Sequence, residues 1–264
     1  MIKKETYLTC QDGNIFEGMT SLSAIIQKNE QKDAHTRRIL RVLFDSSKAK
    51  SKQRELDFLK RKAKTLGFTL EAVSSEEIEA YSTGNTHGGI IAFCTERKIP
   101  ELKECAEQIK KNGVYIMLDG IEDPYNFGYS VRSLYASGAD GVLLSPRNWM
   151  NVAGIVAKSS AGTSELMDMF IADPEDAIMV MRSLGYRVVA AGIRDSVSMY
   201  EANFKKPILL IVGGEKRGIS ASLLSKADEI VRIEYGREFR GSLSAASAAT
   251  VLSYEIYRQN HVKD

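Results

Sequence analysis

A repeated alternation in the C-terminal part of this chain most limits what it can fold into. Short apolar runs at Val114 to Leu118, Val142 to Leu144, Val188 to Ala191, Ile208 to Val212 and Ile230 to Ile233 are each followed by a polar turn. Helical spacing recurs between them, near residues 151–160, 174–184 and 220–226, and a long final helix is predicted from about Ser242 to Tyr257. Apolar runs this short, bounded by turn residues, are buried strands rather than helices. Strands that alternate with helices build a largely parallel sheet covered on both faces, so the fold class is α/β. Ligands of such sheets sit beyond the carboxyl ends of the strands.

Three segments fall at those ends: Asn126-Phe127-Gly128-Tyr129-Ser130-Val131-Arg132, Gly213-Gly214-Glu215-Lys216-Arg217-Gly218 and Gly241-Ser242-Leu243-Ser244-Ala245-Ala246-Ser247. Each follows an apolar run and opens onto a helical pattern. Helix N-termini present unpaired backbone N–H groups, which suit anionic or polar ligands, and three together suggest a composite site. Asn126 and Ser242 are read as N-caps and Gly138 as the residue just past a helix end. Gly213 and Gly214 supply either positive φ or close approach of backbone to a ligand.

Residues 1–100 form a second, smaller α/β pattern. Ile39 to Phe44 and Phe68 to Val73 read as strands, with a helix between them from Arg54 to Leu66 that Gly67 stops. A short helix from Ser75, a loop over residues 82–89 and a strand from Ile90 follow. The expected division is 1–100, a linker at 101–110 interrupted by Pro100 and charges, and 111–264. Charge divides the same way. Residues 37–64 hold 11 basic and 3 acidic side chains, among them Arg37, Arg38, Arg41, Lys60, Arg61, Lys62 and Lys64. Such a face either neutralises phosphates of a nucleic acid or is simply solvated.

Several chemistries are excluded by what is missing. Gly213-x4-Gly218 is followed by Ile219 where a nucleoside-triphosphate loop needs Lys. The loop after Leu118 lacks the dinucleotide-binding glycine pattern. No Gly-x-Ser-x-Gly elbow occurs, and His35, His87 and His261 lie outside all three segments. Neither those histidines nor Cys10, Cys94 and Cys105 have metal-type spacing, so no metal is expected, and the cysteines read as free thiols of a cytoplasmic protein. The apolar runs are too short to span a bilayer, and no signal-peptide pattern or membrane association is expected. The remaining inventory, one carboxylate, one guanidinium and amide or hydroxyl groups around glycines, has little acid–base machinery. It suits transfer of an already activated group by positioning.

These residues resemble the TrmH-type branch of the SPOUT RNA methyltransferases. The first motif, Asn-x-Gly-x-x-x-Arg, stands at Asn126 to Arg132; the second, an apolar strand with Gly-x-Glu-x-x-Gly, at Ile211 to Gly218. The third combines Ile233 with Gly241 to Ser244, and Ser160 to Glu165 is similar to the family's connecting segment. Residues 15–95 resemble the N-terminal substrate-binding domain of many members, itself similar to a small ribosomal RNA-binding protein. Glu17-Gly18 and His87-Gly88-Gly89-Ile90 match its borders.

The resemblance implies a homodimer with a trefoil-knotted parallel sheet that holds S-adenosyl-L-methionine and methylates a ribose 2′-hydroxyl of RNA. It implies catalytic roles for Asn126, Arg132, Glu215, Ser242 and Ser244, and cofactor contacts at Gly192, Gly213, Gly214, Ile233 and Leu243. Arg37, Arg38, Arg41, Arg237 and Arg240 become candidate RNA contacts; Trp149, Met150, Tyr254 and Tyr257 become candidate dimer anchors. Ser244 stands where the family usually has Asn, Glu234-Tyr235 replaces the common Pro-Met, and one extra residue lies between Ile233 and Ser242. Three outcomes stay open: methylation of 23S rRNA, which the appended domain favours, methylation of tRNA, or RNA binding without turnover.

Overall fold

A computed structural model describes residues 15–31, 35–146 and 152–261. Cys10, Trp149 and Met150 lie outside them. The chain divides into two compact units, the first comprising residues up to 98 together with 148–166, the second 99–147 and 167–264.

In the first unit, β1 (Ile15–Glu17), β2 (Ile39–Asp45), β3 (Thr69–Val73) and β4 (Ile90–Cys94) form a mixed sheet in the order β1-β4-β2-β3. Only β2 and β3 run parallel, joined by α2 (Gln53–Leu66). Leu59 is the fully buried centre of that helix, and Gly67 closes it at φ +77, the left-handed conformation that favours glycine. α1 (Gly18–Glu30) and α3 (Ser75–Tyr81) complete the N-terminal part.

Two short helices from later in the sequence, α5 (Ala153–Ser159) and α6 (Thr163–Leu166), pack into this unit. The expected boundary at 111–264 is therefore wrong for this segment, because small residues make a tight seam there. Ala153 and Ala157 join the core of the first unit. A Cβ at Gly154 would lie 2.3 Å from the Ile15 carbonyl oxygen, and one at Gly162 2.7 Å from the Ala24 Cβ. Lys158 pairs with buried Glu17 at 2.7 Å, and Glu165 with buried Arg37 at 3.0 Å.

The second unit contains β5 (Val114–Asp119), β6 (Gly141–Leu144), β7 (Met169–Ile171), β8 (Arg187–Ala191), β9 (Val197–Ser198), β10 (Ile208–Gly213) and β11 (Glu229–Arg232). They form one parallel sheet in the order β7-β6-β5-β10-β8-β11-β9. Both faces are covered, which is why the strands read as continuous apolar runs. Tyr115, Met117, Leu209 and Ile211 share a core with Ala177, Ile178 and Met181 of α7 (Pro174–Ser183). α9 (Ala245–His261) packs on β10 and against α4 (Pro124–Ala136).

The expected linker at 101–110 belongs to this unit. Leu102, Cys105 and Ile109 are buried in its core, and Glu101 bridges to Ile171. Burial, followed by Glu107 and Glu104, pushes the Cys105 thiol above its ordinary range, leaving an unreactive side chain. Short β7, β9 and α6 were not anticipated from the sequence, having too few residues to show a period.

Candidate functional site

The register of the central strands builds the site. Gly213 pairs with Asp119 and Val212 with Leu118, so β5 and β10 end level and their loops leave side by side. Gly214 N–H then donates to the Asp119 carbonyl at 2.6 Å. A Cβ on Gly214 would lie 2.2 Å from the Gly120 carbonyl oxygen, and one on Gly213 2.5 Å from the Gly218 carbonyl carbon. Neither glycine has positive φ, which corrects one of the two readings offered for them. They are required because backbone meets backbone. Positive φ falls instead on Gly120 (+72) and Gly218 (+61), where a Cβ would meet nothing nearer than 4.0 Å.

Asn126 is not the N-cap of α4. Asp123 is, its carboxylate accepting from Asn126 N–H at 2.9 Å, because Pro124 occupies the first helical turn. Freed from capping, the Asn126 side-chain amide donates to Glu215 Oε1 at 2.9 Å. The first and second motifs are thereby joined by their own side chains. Lys216 and Glu122 add an exposed pair at 2.8 Å, which contributes little. Between these groups lies an open depression of about 350 Å³, bordered by Gly120, Glu122, Asn126, Glu215 and Lys216, with Ala245 at the head of α9. All three segments thus converge.

The third segment differs in detail from expectation. Helix α9 begins at Ala245, and Ser244 rather than Ser242 caps it: its Oγ accepts from Ser247 N–H at 3.1 Å. Ser242 is exposed, and Leu243 is half-buried with its N–H donating to the Tyr235 hydroxyl at 3.3 Å. Gly192 N–H donates to the Val231 carbonyl at 2.9 Å, and its missing Cβ makes room for Ile230. Ile233 is half-buried just past β11. Of the predicted catalytic and cofactor residues only Asn126 and Glu215 border the depression; Arg132, Gly192, Gly213, Gly214, Ile233, Ser242, Leu243 and Ser244 do not.

Arg132 is exposed and has no ion-pair partner among the described residues. Helical spacing puts it on one face with Tyr125 and Tyr129, both about half exposed, and away from Asn126. Arg237 and Arg240 are exposed in the loop before α9.

In the first unit the candidate RNA contacts separate. Arg37 is corrected: its guanidinium is buried, paired with Glu165, donating to the Thr95 carbonyl at 3.2 Å and lying 4.8 Å from the Phe16 ring centre. Arg41 is half-buried, ion-paired with Glu71 at 3.0 Å and lying 5.5 Å from the Phe93 ring centre. Both serve the unit's own packing and are withdrawn as RNA contacts. Only Arg38 remains exposed. The strand alternation already contained this, since Arg37 and Ile39 face inward while Arg38 and Leu40 face out. Lys62 pairs with Glu30, whereas Arg54, Lys60, Arg61 and Lys64 line the open face of α2 without an ion-pair partner among the described residues.

No cluster of His, Cys, Asp or Glu able to hold an ion occurs among the described residues.

The model of the SpoU rRNA Methylase family matches residues 113–254. A Bacillus subtilis (strain 168) protein assigned to the TrmH tRNA/rRNA methyltransferase family, YacO, is 28% identical over 205 residues, covering 75% of this chain and 81% of that protein. The 23S rRNA (guanosine-2′-O-)-methyltransferase RlmB of Shewanella oneidensis is 24% identical over 202 residues, 75% and 82% of the two chains. The crystal structure of an AdoMet-bound rRNA methyltransferase from Sinorhizobium meliloti superposes with a TM-score of 0.78 at 20% identity, covering 100% and 98%. With more than half its length matched by the family model, and the glycine crossing and Asn–Glu bridge formed within that span, the chain belongs to the SpoU rRNA methylase family.

Proposed function

We propose that this protein transfers a methyl group from S-adenosyl-L-methionine to a ribose 2′-hydroxyl of a structured RNA, an rRNA in preference to a tRNA. The observation that carries the reading is the convergence of three segments on one depression at the carboxyl edge of a parallel sheet, in a chain of this family. The relative from Shewanella oneidensis, named for 2′-O-methylation of 23S rRNA, supports the rRNA preference.

The residues fit the cofactor. Gly120 leaves open space where a side chain would stand, and the rim offers the Asn126 amide and the carboxylates of Glu122 and Glu215 to a polar, positively charged ligand. When bound, S-adenosylmethionine supplies a methyl group already activated on a sulfonium. The protein's own part is placement. The Asn126–Glu215 bond fixes the two loops, and the capped start of α9 fixes the third. Arg132 stays protonated and is suited to hold an RNA phosphate bidentately and stabilise the 2′-oxygen as it gains charge.

The homodimer implied by the resemblance would cover the exposed aromatic residues Tyr254 and Tyr257 of α9, the composition expected of interface anchors. A threaded, knotted path through the sheet and a cytoplasmic location are part of the same reading. Binding without turnover, the alternative raised by Ser244, draws no support from the site. Ser244 caps α9, a task that Ser and Asn perform equally well.

Replacing Arg132 with Ala should abolish methyl transfer to host rRNA while calorimetry still registers S-adenosylmethionine binding. Turnover that survives the change removes Arg132 from the chemistry. Mapping ribose methylation in rRNA and tRNA of cells with and without the gene tests the substrate class directly.

A further inference from the structure

The loop between β11 and α9 is where the chain departs from its family's pattern, and it carries aromatic rings into solvent. Tyr235 is 37% exposed and Phe239 53%. Neither ring is loose. The Tyr235 hydroxyl accepts from Leu243 N–H, and its ring meets that of Phe239 edge to face, centroids 5.4 Å apart at 71°. The tip of Phe239 leans over Gly241, where a Cβ would come within 2.6 Å of Cζ. Gly241 is therefore small so that Phe239 can lie there. The pair is held from both ends and still leaves much of its surface in water.

Two guanidinium groups flank it. Arg237 has no ion-pair partner among the described residues. Arg240 has Glu238 only at 4.0 Å, with both side chains almost fully exposed, a contact that contributes essentially nothing. Preset aromatic faces beside exposed arginines match one ligand chemistry: an unstacked nucleobase with its neighbouring phosphates. The loop leads through Ser242 to the start of α9, where Ala245 borders the depression.

We propose that Phe239, steadied by Tyr235, is a stacking platform for an unpaired RNA base next to the target nucleotide, with Arg237 and Arg240 on adjoining phosphates. This rests on the RNA methyl-transfer reading and adds a positioning residue for its substrate. Phe239 holds the RNA strand, and not the cofactor, beside the site, through a contact that any base can make.

The test uses the full chain, a single-stranded RNA oligonucleotide carrying 2-aminopurine, and S-adenosylmethionine titrated separately. Phe239→Ala should weaken oligonucleotide binding about five- to hundredfold and abolish the stacking-induced quenching of 2-aminopurine. Phe239→Trp should restore both. Phe239→Leu, which keeps apolar bulk over Gly241, should behave like Ala. In turnover, KM for RNA should rise while kcat stays near that of the unaltered protein. Unchanged RNA affinity and quenching in Phe239→Ala, with methyl transfer intact, overturns the platform and leaves the activity standing. Equal loss of S-adenosylmethionine affinity also overturns it, by assigning the rings to the methyl donor. An unaltered protein that neither binds nor methylates RNA overturns both readings together.

Discussion

The two units solve the same problem, bringing distant stretches of chain into contact, in opposite ways. In the second unit the loops after β5 and β10 meet by removing side chains, and Gly213 and Gly214 let backbone touch backbone. In the first, α5 and α6 are held by glycines and also by charge pairs, an exposed Lys158 on buried Glu17 and a buried Glu165 on buried Arg37. Glycine contacts tolerate no added atom but need no partner. Buried charges need a partner in place, or the desolvation cost is left uncompensated. A binding site gains from the first device, which leaves its donors free; a packing seam can use the second.

Removing one partner of the buried pair should have the largest effect on stability. Glu165→Ala strands Arg37 and should cost about 3–5 kcal/mol, seen as a lowered denaturation midpoint. A change under about 1 kcal/mol would mean that Arg37 finds water or another acceptor.

Gly214→Ala should come next, at about 1–3 kcal/mol, because the methyl must displace the Gly120 backbone. It should also abolish S-adenosylmethionine binding, since the loops can no longer lie together. Gly218→Ala is the contrast: its Cβ meets nothing, and only positive φ is strained, at about 1–2 kcal/mol. If the two variants bind cofactor equally well, the crossing does not shape the site.

Ser244→Ala should cost about 1 kcal/mol through loss of the α9 cap, while Ser244→Asn should leave stability unchanged and methyl transfer active. Inactivity of the Asn variant in a folded protein would show that the hydroxyl does more than cap.

The smallest effect is that of acid on the Glu17–Lys158 pair, whose lysine is partly open to water. Burial pushes the Glu17 carboxyl up, but Lys158 and the hydrogen bonds from Thr83 outweigh it, and the net value lies below the ordinary 4.5. Its contribution is thus present above about pH 4.5 and is lost as pH falls through the lowered value. Melting curves of Glu17→Gln and the unaltered protein should converge as the pH drops below that range. A constant gap between them would assign the stabilisation to the hydrogen bonds alone.

Much of the fold could be read in advance, and the misses are instructive. Asn126 suits an N-cap by residue type, but Pro124, two residues earlier, sets the helix start. Asp-Pro at a helix start is itself a start signal, and it displaces the cap to Asp123. Ser242 lost to Ser244 because the two serines are two residues apart, and only the path of the chain out of β11 decides which one meets the helix. The segment at 101–110 is no linker: Leu102, Cys105 and Ile109 are buried at i, i+3 and i+7, a helical spacing that Pro100 and the surrounding charges conceal.

Periodicity and local chemistry act within a few residues, so the strands, the parallel sheet, the stop at Gly67 and the three motif segments were determined by the sequence itself. Partners separated by many residues were decided only in the tertiary structure. Asn126 with Glu215, Gly120 against Gly214, Arg37 with Glu165 and Phe239 over Gly241 depend on where strands align and loops end. Short-range propensity carries no information about that alignment; burial and register do.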